Sequence, residues 1–209
     1  MNAQVVRYFV WTLGIVVSLL AYLAWGHDYG YGASPFNAYR IFPLFGLVAF
    51  SLMWSHYVAG TLRDLLKIDK ATLESYFKVT GWAVLVLICL HPGLLIYQRF
   101  RDGYGLPPGS YEHYVARGLG WITLLGTASL LVFLAFELRR WFEKRSWWHW
   151  VPMAGDAAML AIFYHSLRLG SELMRHGWFR DLWWFYGVVL VLILARSYYL
   201  KLAKTKRPA

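Results

Sequence analysis

Residues 148–170 read WHWVPMAGDAAMLAIFYHSLRLG, an apolar run that is long enough to cross a lipid bilayer. Three ionisable residues lie within it: His149, Asp156 and His165. Ionisable side chains at membrane depth are costly, and they usually face the interior of a helix bundle and carry function. The run therefore predicts a membrane helix with functional side chains.

The composition of the whole chain is that of an integral membrane protein. Of its 209 residues, 59% are hydrophobic and 15% are charged, whereas soluble domains carry about 25% charged residues. This length has room for about six spans of about 20 residues, so we expect one all-α transmembrane domain, residues 1–209, folded as a six-helix bundle. The predicted spans are residues 8–25, 39–58, 76–97, 118–138, 148–170 and 182–200.

The lysines indicate which way the spans cross the membrane. All of them fall in the segments after spans 2 and 4 or at the C-terminal end, and cytoplasmic loops are enriched in Lys and Arg. We therefore expect a multi-pass protein of the bacterial cytoplasmic membrane, surrounded by lipid, with both termini in the cytoplasm. The net charge of +10 fits these loops, and binding of nucleic acid is not expected. Residues 61–78, of mixed charge, are expected to form a loop.

Two histidines are predicted to reach the same level of the membrane. At 1.5 Å per residue, His91 lies about fifteen residues into span 3 and His165 about seventeen residues into span 5. A haem iron needs two imidazole nitrogens from facing helices. The alternative is that each histidine makes a hydrogen bond to another helix. Four alanines precede His165 at helical spacing and would leave room for a large flat group, or would serve close helix packing: Ala154, Ala157, Ala158 and Ala161.

The runs TGWAVLVLICLHP, residues 80–92, and IFYHSLRLG, residues 162–170, resemble the ferric reductase-like transmembrane domain family. That family includes ferric reductases, NADPH oxidases and the bacterial haem-binding subunit of the methionine-sulfoxide reductase system. The resemblance covers about residues 40 to 200. It implies a six-helix bundle that passes electrons through b-type haem, with His91 and His165 as the outer pair of iron ligands.

The chain departs from the two-haem pattern of this family. A second histidine would be expected 13 or 14 residues before each outer one, but those positions hold Phe77 or Lys78 and Val151 or Pro152. One haem b is therefore expected. A second haem bound by His56 and His149 is a hypothesis, and its alternative is that both are interfacial histidines among tryptophans.

Other polar residues have a functional and a structural interpretation. Arg168, one turn beyond His165, would bind a haem propionate or anchor the helix at the membrane surface. Asp156 would relay protons, bind a quinone, or make a structural hydrogen bond to a neighbouring span. His113 and His176, in predicted outer loops, would shape a docking or metal-substrate surface or be solvated loop positions.

No flavin-binding or nicotinamide-binding domain is expected after span 6. Electrons would then come from a separate partner, a flavoprotein or a quinol, and would leave to a protein or metal acceptor on the outer face. Whether the chain acts as an oxidoreductase by itself stays open at this stage. The alternative is a haem-free small transporter or a membrane scaffold or assembly subunit, although a transporter with internal repeats is disfavoured because no repeat is evident in the sequence.

Overall fold

The computed structural model describes residues 2–29, 37–137 and 142–205. Within these ranges the chain is helical and contains no strand, which confirms the predicted all-α fold. A short 3₁₀ helix, Ser146–His149, precedes the sixth of the α-helices. The α-helices are α1 Ala3–Tyr29, α2 Ala38–Leu65, α3 Lys70–Arg101, α4 Gly109–Glu112, α5 Gly120–Glu137, α6 Trp150–Leu169, α7 Ser171–Arg175 and α8 Gly177–Thr205.

Four of these helices are long and apolar enough to cross a membrane. They are α1, α2, α3 and, within α8, Gly177–Ala203. Helix α5 has a shorter apolar segment, Gly120–Phe136, and α6 has 20 residues. Large hydrophobic side chains are exposed along α1, α3 and α8, as expected where helices face lipid. The predicted multi-pass membrane character is therefore supported by four helices.

The turn between α2 and α3 is much shorter than predicted. Because α2 continues to Leu65 and α3 begins at Lys70, most of residues 61–78 is helical. Asp69 starts α3 by accepting a hydrogen bond from the backbone N–H of Ala71. Charged residues such as Arg, Lys and Glu are good helix formers in water, so their presence excludes a membrane position but not a helix.

Part of the charge pattern used to orient the chain lies outside the described residues. This applies to Arg139, Arg140, Lys206 and Arg207. The same is true of residues 30–36, between the first two predicted spans, and of residue 138 at the end of the fourth.

Helix α8 packs against α2 through aromatic side chains. Trp183 is fully buried and stacks on Phe50 with ring centroids 4.6 Å apart. Trp54 stacks on Tyr186 at 4.2 Å and donates its Nε1–H to the Tyr186 backbone carbonyl at 2.9 Å. These contacts fix α2 against α8, and the stacked rings of Phe50 and Trp183 form part of the wall of a cavity.

Several helix ends meet at one end of the bundle, which we call the Tyr29 end. Arg40, near the start of α2, donates a hydrogen bond to the Tyr29 carbonyl at the end of α1. Tyr39 donates its hydroxyl to Asp102 Oδ2, just past α3, at 2.7 Å. The start of α2 is thereby joined to the ends of α1 and α3.

Candidate functional site

A cavity lies between α2, α3, α5 and α6 and reaches the Tyr29 end. Its empty volume is about 1370 Å³, including the open space at its mouth. Most of its lining is apolar, and His91 from α3 and His165 from α6 both line it. The structure therefore brings together the two histidines that were predicted to share one level of the membrane.

His91 is held in one orientation by α2. Its Nδ1 lies 2.7 Å from the backbone carbonyl of Phe42. Because a carbonyl only accepts, Nδ1 carries the proton and Nε2 is left as the lone-pair nitrogen. A Cβ atom on Gly46 would lie 2.7 Å and 2.8 Å from the ring atoms Cε1 and Nδ1. Since real Cβ atoms essentially never come closer than 3.0 Å, a glycine is needed beneath this ring.

His165 is held in the same way by α5. Its Nδ1 lies 2.8 Å from the backbone carbonyl of Ile122, which again leaves Nε2 as the lone-pair nitrogen. A Cβ atom on Gly126 would lie 2.7 Å from Cε1 and 2.8 Å from Nδ1 of the ring. Gly126 follows Ile122 by four residues, just as Gly46 follows Phe42.

The lining residues of the two hairpins, α2–α3 and α5–α6, lie at matched positions along their helices. Five lining residues of α2 lie at the same distances in sequence from Phe42 as five lining residues of α5 lie from Ile122. In the same way, four lining residues of α3, counted from His91, match four of α6, counted from His165. The matched pairs are Pro43 and Thr123, Gly46 and Gly126, Leu47 and Thr127, Phe50 and Leu130, Met53 and Phe133, Ile88 and Ile162, His91 and His165, Pro92 and Ser166, and Leu95 and Leu169.

This arrangement suits two neutral imidazoles that bind one metal centre. Histidines that ligate metals usually donate the other ring N–H to a carbonyl or carboxylate, which fixes the tautomer and the ring orientation. The donor set, the two carbonyl anchors and the glycine beneath each ring fit the two axial ligands of a haem.

The space beside His165 is not made by the alanines that precede it, so this prediction was wrong. On α6 the cavity is lined by Ile162, His165, Ser166 and Leu169. Ala154 and Ala157 are exposed, and only Ala158 is buried. The room comes instead from the glycines of the partner helices, because the helix facing a histidine must approach it closely.

The mouth of the cavity is polar and rich in hydroxyl groups. It is lined by Tyr29, Tyr39, Tyr111, Tyr114, Ser171 and Glu172. Glu172 is 1% exposed; its Oε2 accepts a hydrogen bond from Ser171 at 3.0 Å, and its Oε1 has no partner among the described residues. Burial raises the pKa of this carboxyl group above its usual value.

Arg99 lies behind this mouth and was not singled out from the sequence. It is 5% exposed, and its guanidinium lies 3.5 Å from the ring centroid of Tyr104 and 5.9 Å from that of Tyr114. Its Nη2 donates to the Ser110 carbonyl at 3.3 Å, whereas its Nε has no partner among the described residues. Arg168, the predicted propionate ligand, is exposed and does not line the cavity. Arg99 could be identified as a candidate only from its burial, which the sequence does not show.

The two histidines of the second-haem hypothesis lie elsewhere. His56 Nε2 is 2.6 Å from Thr80 Oγ1 on α3. His149 is exposed in the 3₁₀ helix, and its Nδ1 donates to the carbonyl of Ser146. Neither lines the cavity of His91 and His165. The second haem stays a prediction that these contacts do not support.

Asp156 makes the structural hydrogen bonds that were one of its two interpretations. Its Oδ1 accepts from the Tyr57 hydroxyl of α2 at 2.9 Å, and its Oδ2 accepts from the Tyr198 hydroxyl of α8 at 2.8 Å. The carboxyl group thus joins three helices away from the cavity lining.

The two histidines that were predicted to lie in outer loops differ from each other. His113 is exposed, with its ring 6.0 Å from that of Tyr104. His176, between α7 and α8, contacts Asp28 at the end of α1.

Comparison of the chain with protein-family models, with curated proteins and with solved structures found no match.

Proposed function

We propose that this protein is a b-type haem electron-transfer subunit of a membrane oxidoreductase. The observation that carries the proposal is the matched pair of imidazoles. Two helix hairpins, α2–α3 and α5–α6, each present a histidine whose Nδ1 is tied to a carbonyl and whose ring rests on a glycine. A histidine that only joined two helices would not need a counterpart with the same anchors across a shared cavity.

A haem bound here supplies one-electron chemistry at a potential that its ligands and surroundings tune. In this proposal His91 and His165 hold the iron through Nε2, and the Phe42 and Ile122 carbonyls keep both rings in the required tautomer. Apolar lining residues exclude water. The hydroxyl groups of the mouth would bind the acidic groups of the cofactor at the Tyr29 end, and Arg99, buried behind the mouth and not part of the cavity lining, would add a nearby positive charge.

The test is the absorption spectrum of the purified full-length chain. We expect the Soret and reduced α bands of bis-histidine haem b, with one haem per chain. His91→Ala and His165→Ala should each abolish these bands, whereas His113→Ala and His56→Ala should keep them. A folded, colourless wild-type protein, or bands that survive loss of either cavity histidine, would overturn the proposal.

The proposal includes six membrane passes, with α5 and α6 joining the four long apolar helices, and both termini in the bacterial cytoplasm. The described lysines support this orientation. They lie between α2 and α3, in the first three turns of α3, just before the 3₁₀ helix, or near the end of α8, and the proposed topology places all of these positions on the cytoplasmic side. The Tyr29 end then faces outward. Reporter fusions placed after residues 68 and 144 should indicate a cytoplasmic position, and a fusion after residue 105 an outer one.

An electron donor and an acceptor complete the proposed role. The donor is a separate flavoprotein or a quinol, and the acceptor is a protein or a metal at the outer face. In a haem-free transporter or scaffold subunit, the glycines under both histidine rings would serve only helix packing. The spectrum of the wild-type protein separates these two functions.

A further inference from the structure

Three metal-ligating side chains meet beside the cavity mouth, outside the proposed haem site. His27 and Asp28 lie in the last turn of α1, and His176 lies between α7 and α8. One ligand atom from each lies within 4.8 Å of the other two. Residues far apart in the chain are thus brought together with two nitrogen donors and one carboxylate.

The distances between these groups are close to those of a metal site. His176 Nε2 lies 2.8 Å from Asp28 Oδ1, and the imidazole rings of His27 and His176 have centroids 4.6 Å apart. Ligands bound at about 2.0–2.2 Å from a zinc ion lie about 3–3.5 Å from each other. His27 is exposed, so a rotation of its side chain is free to bring it into such a position.

The other two ligands are already held in place. The side chains of Asp28 and His176 are 8% and 11% exposed. Asp28 Oδ2 accepts no hydrogen bond from the described residues, although Arg175 Nη1 lies 3.5 Å away as an ion pair. A buried carboxylate oxygen without a hydrogen bond keeps a lone pair for a cation, and the Arg175 side chain, which is 59% exposed, can turn away towards the solvent when a metal ion binds.

We propose that His27, Asp28 and His176 form a binding site for a divalent first-row transition-metal ion of the zinc class. Imidazole donors favour zinc, copper, nickel or cobalt over calcium and magnesium, which prefer oxygen ligands. The ion would tie the end of α1 to the α7–α8 junction, next to Tyr29 and Glu172 at the cavity mouth. The site is separate from His91 and His165 and does not depend on haem.

The experiment measures zinc uptake by the full-length protein in detergent after chelation and equilibrium dialysis. We expect one tightly bound zinc per wild-type chain and a rise in the thermal midpoint when zinc is added. His27→Ala and His176→Ala should each weaken zinc binding at least tenfold and remove the thermal response. His113→Ala, which changes an exposed histidine outside the cluster, should behave like the wild type.

Two further variants keep the result clear. His176→Gln retains a hydrogen-bonding side chain, so it should fold like the wild type by size-exclusion chromatography and still lose zinc. His91→Ala should keep zinc while losing haem, which separates this site from the proposed function. The proposal fails if the wild type takes up no zinc, or if His27→Ala and His176→Gln together bind as much as the wild type.

Discussion

The hairpins α2–α3 and α5–α6 build matching cavity walls from helices of unequal length. Helices α2 and α3 have 28 and 32 residues, whereas α5 and α6 have 18 and 20. The longer pair extends beyond the cavity at both ends, and its additional turns supply Arg99 and the hydrogen bond between Tyr39 and Asp102. The features that both hairpins have, a histidine, its carbonyl anchor and a glycine, form the candidate site. The features that only the longer hairpin has join helix ends or lie behind the cavity mouth.

The largest expected effect comes from filling the space beneath each histidine. Gly46→Ala and Gly126→Ala place a Cβ atom 2.7 Å from an imidazole carbon, so the ring must leave its carbonyl anchor. Changes next to a metal ligand typically cost about 10–100-fold in affinity, and we expect that loss of haem affinity in both variants. Haem titration of the protein measures it.

Each hairpin offers its own control for this substitution. A Cβ atom on Gly60 of α2 or on Gly120 of α5 would meet nothing within 4 Å. Gly60→Ala and Gly120→Ala should therefore bind haem like the wild type. Equal effects of Gly46→Ala and Gly60→Ala would contradict the role of the glycine beneath the ring, and unequal effects of Gly46→Ala and Gly126→Ala would contradict the equivalence of the two hairpins.

The next effect tests the two arginines that follow the histidines. Arg99 is buried at the longer hairpin, whereas Arg168 of the shorter hairpin is exposed. A buried positive charge beside the mouth attracts acidic groups bound there, so Arg99→Gln should weaken haem binding about tenfold, which corresponds to about 1.4 kcal/mol. Arg168→Gln should leave it unchanged in the same titration. The opposite ranking would restore the prediction made from the sequence.

A smaller effect concerns the carboxyl group that joins the hairpins. Tyr57→Phe and Tyr198→Phe each remove one hydrogen bond to Asp156. Such bonds between membrane helices contribute about 0.6–1.7 kcal/mol, and each variant should lose that much free energy of unfolding. Tyr199→Phe, at a residue 70% exposed, is the control. Unfolding in detergent, followed by tryptophan fluorescence, measures the losses; equal stability of all three variants would exclude this role.

The smallest effect is a pH dependence confined to the longer hairpin. The Tyr39 hydroxyl and then Gln98 donate hydrogen bonds to Asp102 and hold the pKa of its carboxyl group below 3.8. A lowered pKa means that the stabilisation is present above pH 3.8 and is lost as the pH falls through the pKa of the folded protein.

Thermal midpoints between about pH 6 and pH 3 measure this dependence. Asp102→Asn should reduce the loss of stability on acidification by a small amount, because the group is at the surface. Asp64→Asn, at an exposed carboxylate that pairs with its neighbour Arg63, is the comparison. An unchanged acid profile in Asp102→Asn would rule out this contribution.

Sequence reasoning found the histidine pair because depth along a helix follows from residue counting. His91 and His165 could be placed at one level from span limits alone. Gly46 and Gly126 could not be found, because which helix faces a histidine, and at which residue, depends on tertiary packing. Their signal is visible only afterwards, as a glycine four residues after each anchoring carbonyl.

The errors have physical reasons as well. Charge and polarity identified residues 61–78 as non-spanning, yet these features do not prevent a helix from continuing. Arg168 was singled out because it follows a histidine by one turn, whereas the burial of Arg99 depends on its contact with Ser110 of α4 and is not visible in the sequence. The matched cavity positions could not be found from the sequence because they share a spacing and only partly a residue identity.

The near-equivalence of the two walls has a consequence for how a guest would sit between them. A flat molecule with two unlike faces meets similar surroundings whichever face it turns to His91, so the walls discriminate weakly between its two orientations. Any preference must arise where matched positions differ in size or polarity. Those positions are Pro43 and Thr123, Leu47 and Thr127, Phe50 and Leu130, Met53 and Phe133, and Pro92 and Ser166. Exchanging the two residues of a pair would change the ratio of the two orientations in which the guest is bound. The affinity of the protein for the guest would change little.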